Sequence, residues 1–157
     1  METPLASRVL AELGIPHRVF RHENQVTSLE QAARERNQRP EQVVRSILFR
    51  IAEDEYLMVL VAGPAQIPWK ALRKHLGQSR LTMATEEEVF TVTGYQIGTV
   101  NPFGLPRQLK VLIDAGVMRE EEISMGSGMR NTGIILKSID LRHALPNAEI
   151  VQLVGTT

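Results

Sequence analysis

The chain has 157 residues, 43% apolar and 23% charged, an ordinary balance for a globular protein with the length for one well-buried domain. Cysteine is absent, which excludes disulfides, thiolate catalysis and cysteine-ligated zinc and makes the cytoplasm the expected compartment. The 18 basic and 18 acidic side chains cancel, against a general nucleic-acid coat protein, and no run is apolar enough for a membrane span or a secretion signal.

In chain order, Pro4 to Leu13 reads as a helix with Leu5, Val9, Leu10 and Leu13 on one stripe and Gly14 as its stop. His17 to Arg21 alternates like a short strand. Thr27 and Glu30 have the spacing of a capping box, which predicts a helix over Ser28 to Arg36. Pro40 and Glu41 open a turn before the β-rich runs Val43 to Ile51 and Tyr56 to Ala62, joined by a hairpin turn at 52–55.

Pro68 stands at a natural first helical position for Trp69 to Leu76, closed by Gly77. Thr85 and Glu88 form a second capping box, so Glu86 to Val92 is expected to be helical. Strands are expected over Gln108 to Ile113, Glu122 to Met125 and Gly133 to Lys137. A short helix from Ile139 to Ala144 and a strand near Glu149 to Leu153 complete the chain. This order predicts a single α/β domain over 1–157, with a mixed sheet and helices on the outside. No strand–Gly-x-Gly-x-x-Gly–helix phrase supports a dinucleotide fold.

Two glycine-rich turns stand out. Thr93 to Gly104 holds three glycines and a proline, with Gly98 and Pro102 in the spacing Gly-x-x-x-Pro. Glycine allows close approach to the backbone and proline fixes φ, so this loop is a plausible receptor for a carbonyl oxygen or an oxyanion. The second turn, Gly126 to Gly133, offers Ser127, Arg130, Asn131 and backbone N–H groups to an anion; a plain hairpin connection is the blander alternative. The four histidines (17, 22, 75, 143) form no metal-binding pair and no Ser-His-Asp spacing. Capping explains Asp114 and Asp140 more readily than acid–base work does.

Arg45 is out of place in the strand it occupies. Positions 43, 45, 47, 49 and 51 share one face, so an arginine interrupts the row Val43, Ile47, Phe49 and Ile51. It either snorkels to water at the strand's entrance or points into a pocket where it needs partners.

These phrases together resemble a known family. Val-Val-Arg-Ser-Ile-Leu-Phe (43–49), Thr-Gly-Tyr-Gln-Ile-Gly-Thr-Val-Asn-Pro-Phe-Gly (93–104) and Val-Leu-Ile-Asp (111–114) are followed by Gly-Ser-Gly-Met-Arg-Asn-Thr-Gly-Ile-Ile-Leu (126–136) and Asp-Leu (140–141). In that order they are similar to the YbaK/ProX family, free-standing relatives of the editing domain inserted in bacterial prolyl-tRNA synthetase. The resemblance implies an α/β fold with a curved, mixed, barrel-like sheet. It also implies hydrolysis of the ester of a mischarged tRNA of the Ala- or Cys-tRNA(Pro) type, with neither metal nor cofactor. The partners would be the 3′ aminoacyl-adenosine end and prolyl-tRNA synthetase, with no membrane.

Carried over by position, Gly98 to Pro102 would receive the aminoacyl carbonyl and the terminal adenosine, with Thr99, Val100 and Asn101 between them. Ser127, Gly128 and Arg130 would form the facing wall. Where many members have a functional lysine this chain has Arg45, followed by Ser46 instead of threonine. Arginine keeps the charge but cannot transfer a proton at neutral pH. Arg45 and Gly98 are therefore the expected catalytic pair, and a homologue that binds charged tRNA without cleaving it is the alternative.

Overall fold

A computed structural model describes residues 2–155. Its first half runs α1 (Leu5–Glu12), β1 (Arg18–Arg21), α2 (Leu29–Glu35), β2 (Val44–Ala52), β3 (Glu55–Ala62) and α3 (Trp69–Leu76). Then follow β4 (Thr82–Met83), α4 (Glu86–Thr93), β5 (Lys110–Asp114), β6 (Glu122–Gly126), β7 (Thr132–Lys137), α5 (Ser138–Ala144) and β8 (Glu149–Val151). Short 3-10 turns occupy Pro40–Gln42 and Ala115–Arg119.

The strands form two sheets. One is mixed, in the order β4-β2-β3-β5-β8, and the other is antiparallel, in the order β1-β7-β6. Among the described residues a single parallel bridge, between Val43 and Ser124, links their backbones. The mixed α/β class is as expected; the barrel-like sheet is two sheets that meet at one end and do not close.

β3 is the centre. Leu57 to Val61 are all fully buried, the continuous apolar run of a strand covered on both faces. Alternate positions feed two cores. On one side Met58 and Leu60 pack with Val44, Leu48, Ile113, Ile134 and Leu136 beneath α1 and α4. On the other, Leu57, Val59 and Val61 pack with Phe49, Leu72 and Leu112 beneath α3.

Local signals placed most elements to within two residues. The Thr85–Glu88 box is made in both directions, at 3.1 and 2.9 Å. The cap of α2 lies one residue later than the spacing suggests: Ser28 Oγ accepts from the Gln31 N–H, and the Gln31 side chain accepts from the Thr27 N–H. Either hydroxyl is able to cap; with Ser28 as the cap, the Gln31 side chain reaches one residue further back, to Thr27. Pro68 takes the cap position rather than the first helical one. β4, two residues long, was not anticipated. β8 stops at Val151 because the N–H groups of Leu153 and Val154 turn to Asp114 Oδ1, at 2.8 and 2.9 Å. The other oxygen of this buried carboxylate accepts from the Gly116 N–H at 3.0 Å. Capping is what Asp114 does.

Two outcomes follow from these polar anchors. Asp114→Ala leaves three N–H groups without their acceptor and is expected to lower the unfolding free energy by about 3 kcal/mol, measured by urea denaturation. Glu88 accepts the Thr85 N–H and the Tyr56 hydroxyl, and these hydrogen bonds hold its carboxyl below the ordinary 4.5. The folded pKa is depressed, so this stabilisation is complete above the unfolded value and is lost as pH falls through the folded one. Glu88→Gln should therefore lower the melting temperature at neutral pH, and the difference from wild type should shrink in acid.

Candidate active site

Beyond the Val43–Ser124 bridge the sheets diverge, and the gap is a cavity of about 670 Å³. One wall is an open strand edge. β4 pairs with β2 only at Phe49 and Arg50, and the Ala84 N–H donates to the Leu48 carbonyl at 3.0 Å. The Val43 carbonyl points the other way, accepting from Gly63 N–H at 2.7 Å. Antiparallel alternation then puts the N–H and C=O of Ser46 on the open side. The Ser46 hydroxyl is also buried on this wall and has no hydrogen-bond partner among the described residues.

The facing wall is the glycine loop. Gly98 adopts φ 92°, a conformation that glycine tolerates best. The Thr99 N–H and hydroxyl both donate to the Gln96 carbonyl, at 3.0 and 2.8 Å, so its amide is spent within the turn. The N–H groups of Gly98 and Val100 have no such partner among the described residues. Asn101, fully buried, accepts from the Phe103 N–H and donates to the Thr99 carbonyl, holding the loop from behind. The Tyr95 hydroxyl donates to the Phe103 carbonyl.

The two glycine turns interlock. The Gly128 N–H donates to the Thr99 carbonyl at 3.0 Å. A Cβ on Gly126 would stand 2.8 Å from the Val100 carbonyl oxygen, and one on Gly128 would stand 2.5 Å from the Tyr95 ring. Arg130 Nε donates to Gln96 Oε1 at 3.1 Å, linking the turns at the cavity's rim.

Of the residues predicted from sequence, Arg45, Gly98, Thr99, Val100 and Arg130 line this cavity. Asn101, Pro102, Ser127 and Gly128 do not. Pro102 is buried and borders a separate depression beside Leu145. Ser127 is buried and donates to the Thr132 carbonyl at 2.7 Å, pinning its own turn. These four shape the walls from behind.

Arg45 lies on the face shared with Ile47, Phe49 and Ile51, as strand parity requires, and is half-buried. Its guanidinium donates to the carbonyls of Gly63, at 2.8 Å, and Ala65. Burial pushes its pKa down, and the two carbonyls compensate with dipoles rather than with a counter-charge.

Sequence reasoning missed Ser46 and Arg36 as wall residues. Ser46 was legible only as the neighbour of Arg45. Arg36 had a signal: Leu29, Ala32 and Arg36 fall on one stripe of α2, and all three line the cavity. Arg36 Nε donates to His22 Nε2 at 3.1 Å, and Nη1 donates to Ser124 Oγ at 2.9 Å. An arginine only donates, so His22 carries its proton on Nδ1, which bonds Glu35 Oε1 at 2.6 Å. Burial holds Arg36 down to about 10. The chain also contains a Ser7–His17 hydrogen bond of 2.6 Å, but neither residue borders the cavity.

A family model described as an aminoacyl-tRNA editing domain matches residues 22–144. The uncharacterised protein YwhH of Bacillus subtilis is 31% identical over 123 residues, 78% of either chain. A proline–tRNA ligase of Kosmotoga olearia is 37% identical over 75 residues, 48% of this chain but only 13% of the ligase. The fold is also that of a solved structure described as a proposed trans-editing enzyme for prolyl tRNA synthetase, with a TM-score of 0.88, 24% identity, and 99% of this chain and 100% of that one covered.

The interlock of the turns sets an order of mutational cost. Gly126→Ala drives a methyl group into two backbone carbonyls and is expected to cost about 1–3 kcal/mol. Gly98→Ala meets open space and carries only the left-handed conformational cost, about 1 kcal/mol. Urea denaturation of the two variants should rank Gly126→Ala as the more damaging, and the reverse order would show that the turns do not brace each other.

Proposed function

Since the chain belongs to the aminoacyl-tRNA editing domain family, we propose that residues 1–157 act as one free-standing cytoplasmic editing unit, a deacylase for mischarged tRNA of the Ala- or Cys-tRNA(Pro) kind. The observation that carries this reading is the cavity between the sheets. It pairs an apolar interior with two unengaged loop N–H groups, the open edge at Ser46 and a fixed cation at Arg45. Such a site accepts an amino-acid side chain while donors converge on its carbonyl.

The chemistry asks little of side chains, because an aminoacyl ester is already activated. A water oxygen attacks the ester carbonyl carbon, and the bond from that carbon to the ribose oxygen breaks. The proton lost by the water ends on the departing ribose oxygen, leaving free amino acid and uncharged tRNA. The Gly98 and Val100 N–H groups would stabilise the oxyanion, a contribution of roughly 3–4 kcal/mol for one well-aimed donor. The neighbouring ribose hydroxyl of the substrate would help to place the water. Arg45 would anchor the carbonyl or the terminal ribose-phosphate as a fixed charge, without transferring a proton. Arg130 stands at the rim, where an acceptor end would enter. Prolyl-tRNA synthetase is the partner that would supply such substrates.

A second reading is a binding module that holds charged tRNA without cleaving it. It is favoured by one feature: the Arg45 guanidinium is already committed to the Gly63 and Ala65 carbonyls.

The two separate cleanly. Label release is followed from Ala-, Cys-, Ser- and Pro-charged tRNA(Pro), with wild-type protein beside Arg45→Ala and Arg45→Lys. The deacylase reading expects release from a non-cognate charge and a loss of about 100-fold or more in Arg45→Ala, with circular dichroism showing that the variant is folded at the assay temperature. Binding of charged tRNA with the ester left intact would establish the binding module instead.

A further inference from the structure

The wall of the cavity formed by α2 and β6 holds a charge that no carboxylate touches among the described residues; Glu35 attracts it only from behind His22. Arg36 ends the stripe Leu29–Ala32–Arg36 and folds between His22, Ser124 and the backbone of β7. The fit is close: a Cβ on Gly133 would stand 2.6 Å from its Cζ and its Nη2. Both hydrogen-bond partners are neutral acceptors. Ser124 Oγ donates onward to Gln38 Oε1 at 2.7 Å, which leaves its lone pairs for Arg36. His22 receives through Nε2 and is itself oriented by Glu35.

No carboxylate lies within ion-pair distance of Arg36 among the described residues, because Glu35, next in sequence, is turned to His22 and Gln31. Two of the five N–H groups of the guanidinium are used, and those on Nη2 meet no acceptor among the described residues. Arg18, Arg39 and Arg107 are paired with Glu122, Glu120 and Asp54, whereas Arg36, like Arg45, has only neutral partners. A largely desolvated guanidinium with no carboxylate in contact is costly, and the desolvation, only partly offset by Glu35, lowers its proton affinity. A planar fork of free N–H groups on a cavity wall matches the two oxygens of a carboxylate or a phosphate.

We propose that Arg36 is the recognition group of an oxyanion subsite in this cavity, filled by a carboxylate on the aminoacyl side chain or by a phosphate of the acceptor end. The origin of the anion rests on the editing reading above; its binding to Arg36 does not. The subsite is separate from the Gly98 loop, which receives the ester carbonyl. If the anion is a side-chain carboxylate, the amino acid removed is acidic rather than small and apolar. If it is a phosphate, Arg36 fixes the register of the tRNA end and leaves the amino acid to the apolar wall.

The test uses succinate and inorganic phosphate as separate probes, titrated into the wild-type protein and into Arg36→Gln and Arg36→Lys. Binding is followed by calorimetry and by the Arg36 Nε–H resonance in nitrogen-15 spectra of the wild type. Saturable binding of either probe that moves this resonance and weakens about tenfold or more in Arg36→Gln supports the subsite. Arg36→Lys, which keeps charge without the fork, should bind at intermediate strength. Because the resonance is read in wild-type protein, a variant that fails to fold does not remove the test.

Non-hydrolysable amide analogues of 3′-aminoacyl-adenosine then identify the source. Tighter binding of the aspartyl than of the asparaginyl analogue assigns the carboxylate. Tighter binding of the alanyl analogue with a 5′-phosphate than without one assigns the phosphate. If neither succinate nor phosphate moves the Arg36 resonance, the subsite is overturned, even where the alanyl analogue binds and the editing reading survives. If both probes act through Arg36 while no adenosine analogue binds, the subsite stands and the editing reading falls.

Discussion

The site depends on one constraint: among the described residues the backbones of the two sheets pair at Val43 and Ser124 and nowhere further along. A strand edge normally demands a partner, because its N–H and C=O groups are costly to bury unpaired. Here β4 covers only Phe49 and Arg50, and β6 departs after one bridge. The intervening edge of β2 therefore faces a cavity. Continued pairing would close the sheet and leave no room for a ligand; no bridge at all would leave the second sheet unpositioned.

The polar groups around that gap follow a common logic. Those that hold the scaffold are satisfied by the protein itself: Asn101 on both sides of its loop, Ser127 within its turn, Asp114 on three N–H groups. Several on the cavity wall are left short of partners: the Ser46 hydroxyl, the Gly98 and Val100 amides, part of the Arg36 guanidinium; the Thr99 amide and the Arg45 guanidinium beside them are engaged. Buried polar groups are rarely left unmatched without a reason, and for the Ser46 hydroxyl a ligand's own donors and acceptors supply one. Chemistry that relies on placed donors and an activated ester fits a wall of this kind better than one bearing a nucleophile and its base.

Arg45 and Arg36 show why an unusual residue is easier to notice than to interpret. Both interrupt an apolar row, one with period two and the other on a helical stripe. The strand row drew attention to Arg45, yet two backbone carbonyls already share its guanidinium. Arg36 caps the end of α2, on the stripe of Leu29 and Ala32, but that stripe alone did not separate it from the exposed Arg34 two residues before. Its meaning comes from His22, Ser124 and Gly133, separated from it in sequence by up to 97 residues and brought to one point by the pairing of β1, β6 and β7.

What the sequence determined by itself was local. Caps, turn glycines and alternation are interactions among near neighbours, and they placed the helices, the long strands and the two glycine turns. The ordered phrases from Val43 to Leu141 carried the family. The tertiary structure decided what depends on distant pairing: that the sheet is two sheets, that Thr99 spends its amide while Gly98 and Val100 keep theirs, and that Asn101, Pro102, Ser127 and Gly128 stand behind the wall. It also decided that Ser46 and Arg36 stand on it. A residue's type states which bonds it is able to make; only the packing of the rest of the chain determines which of them are left for a ligand.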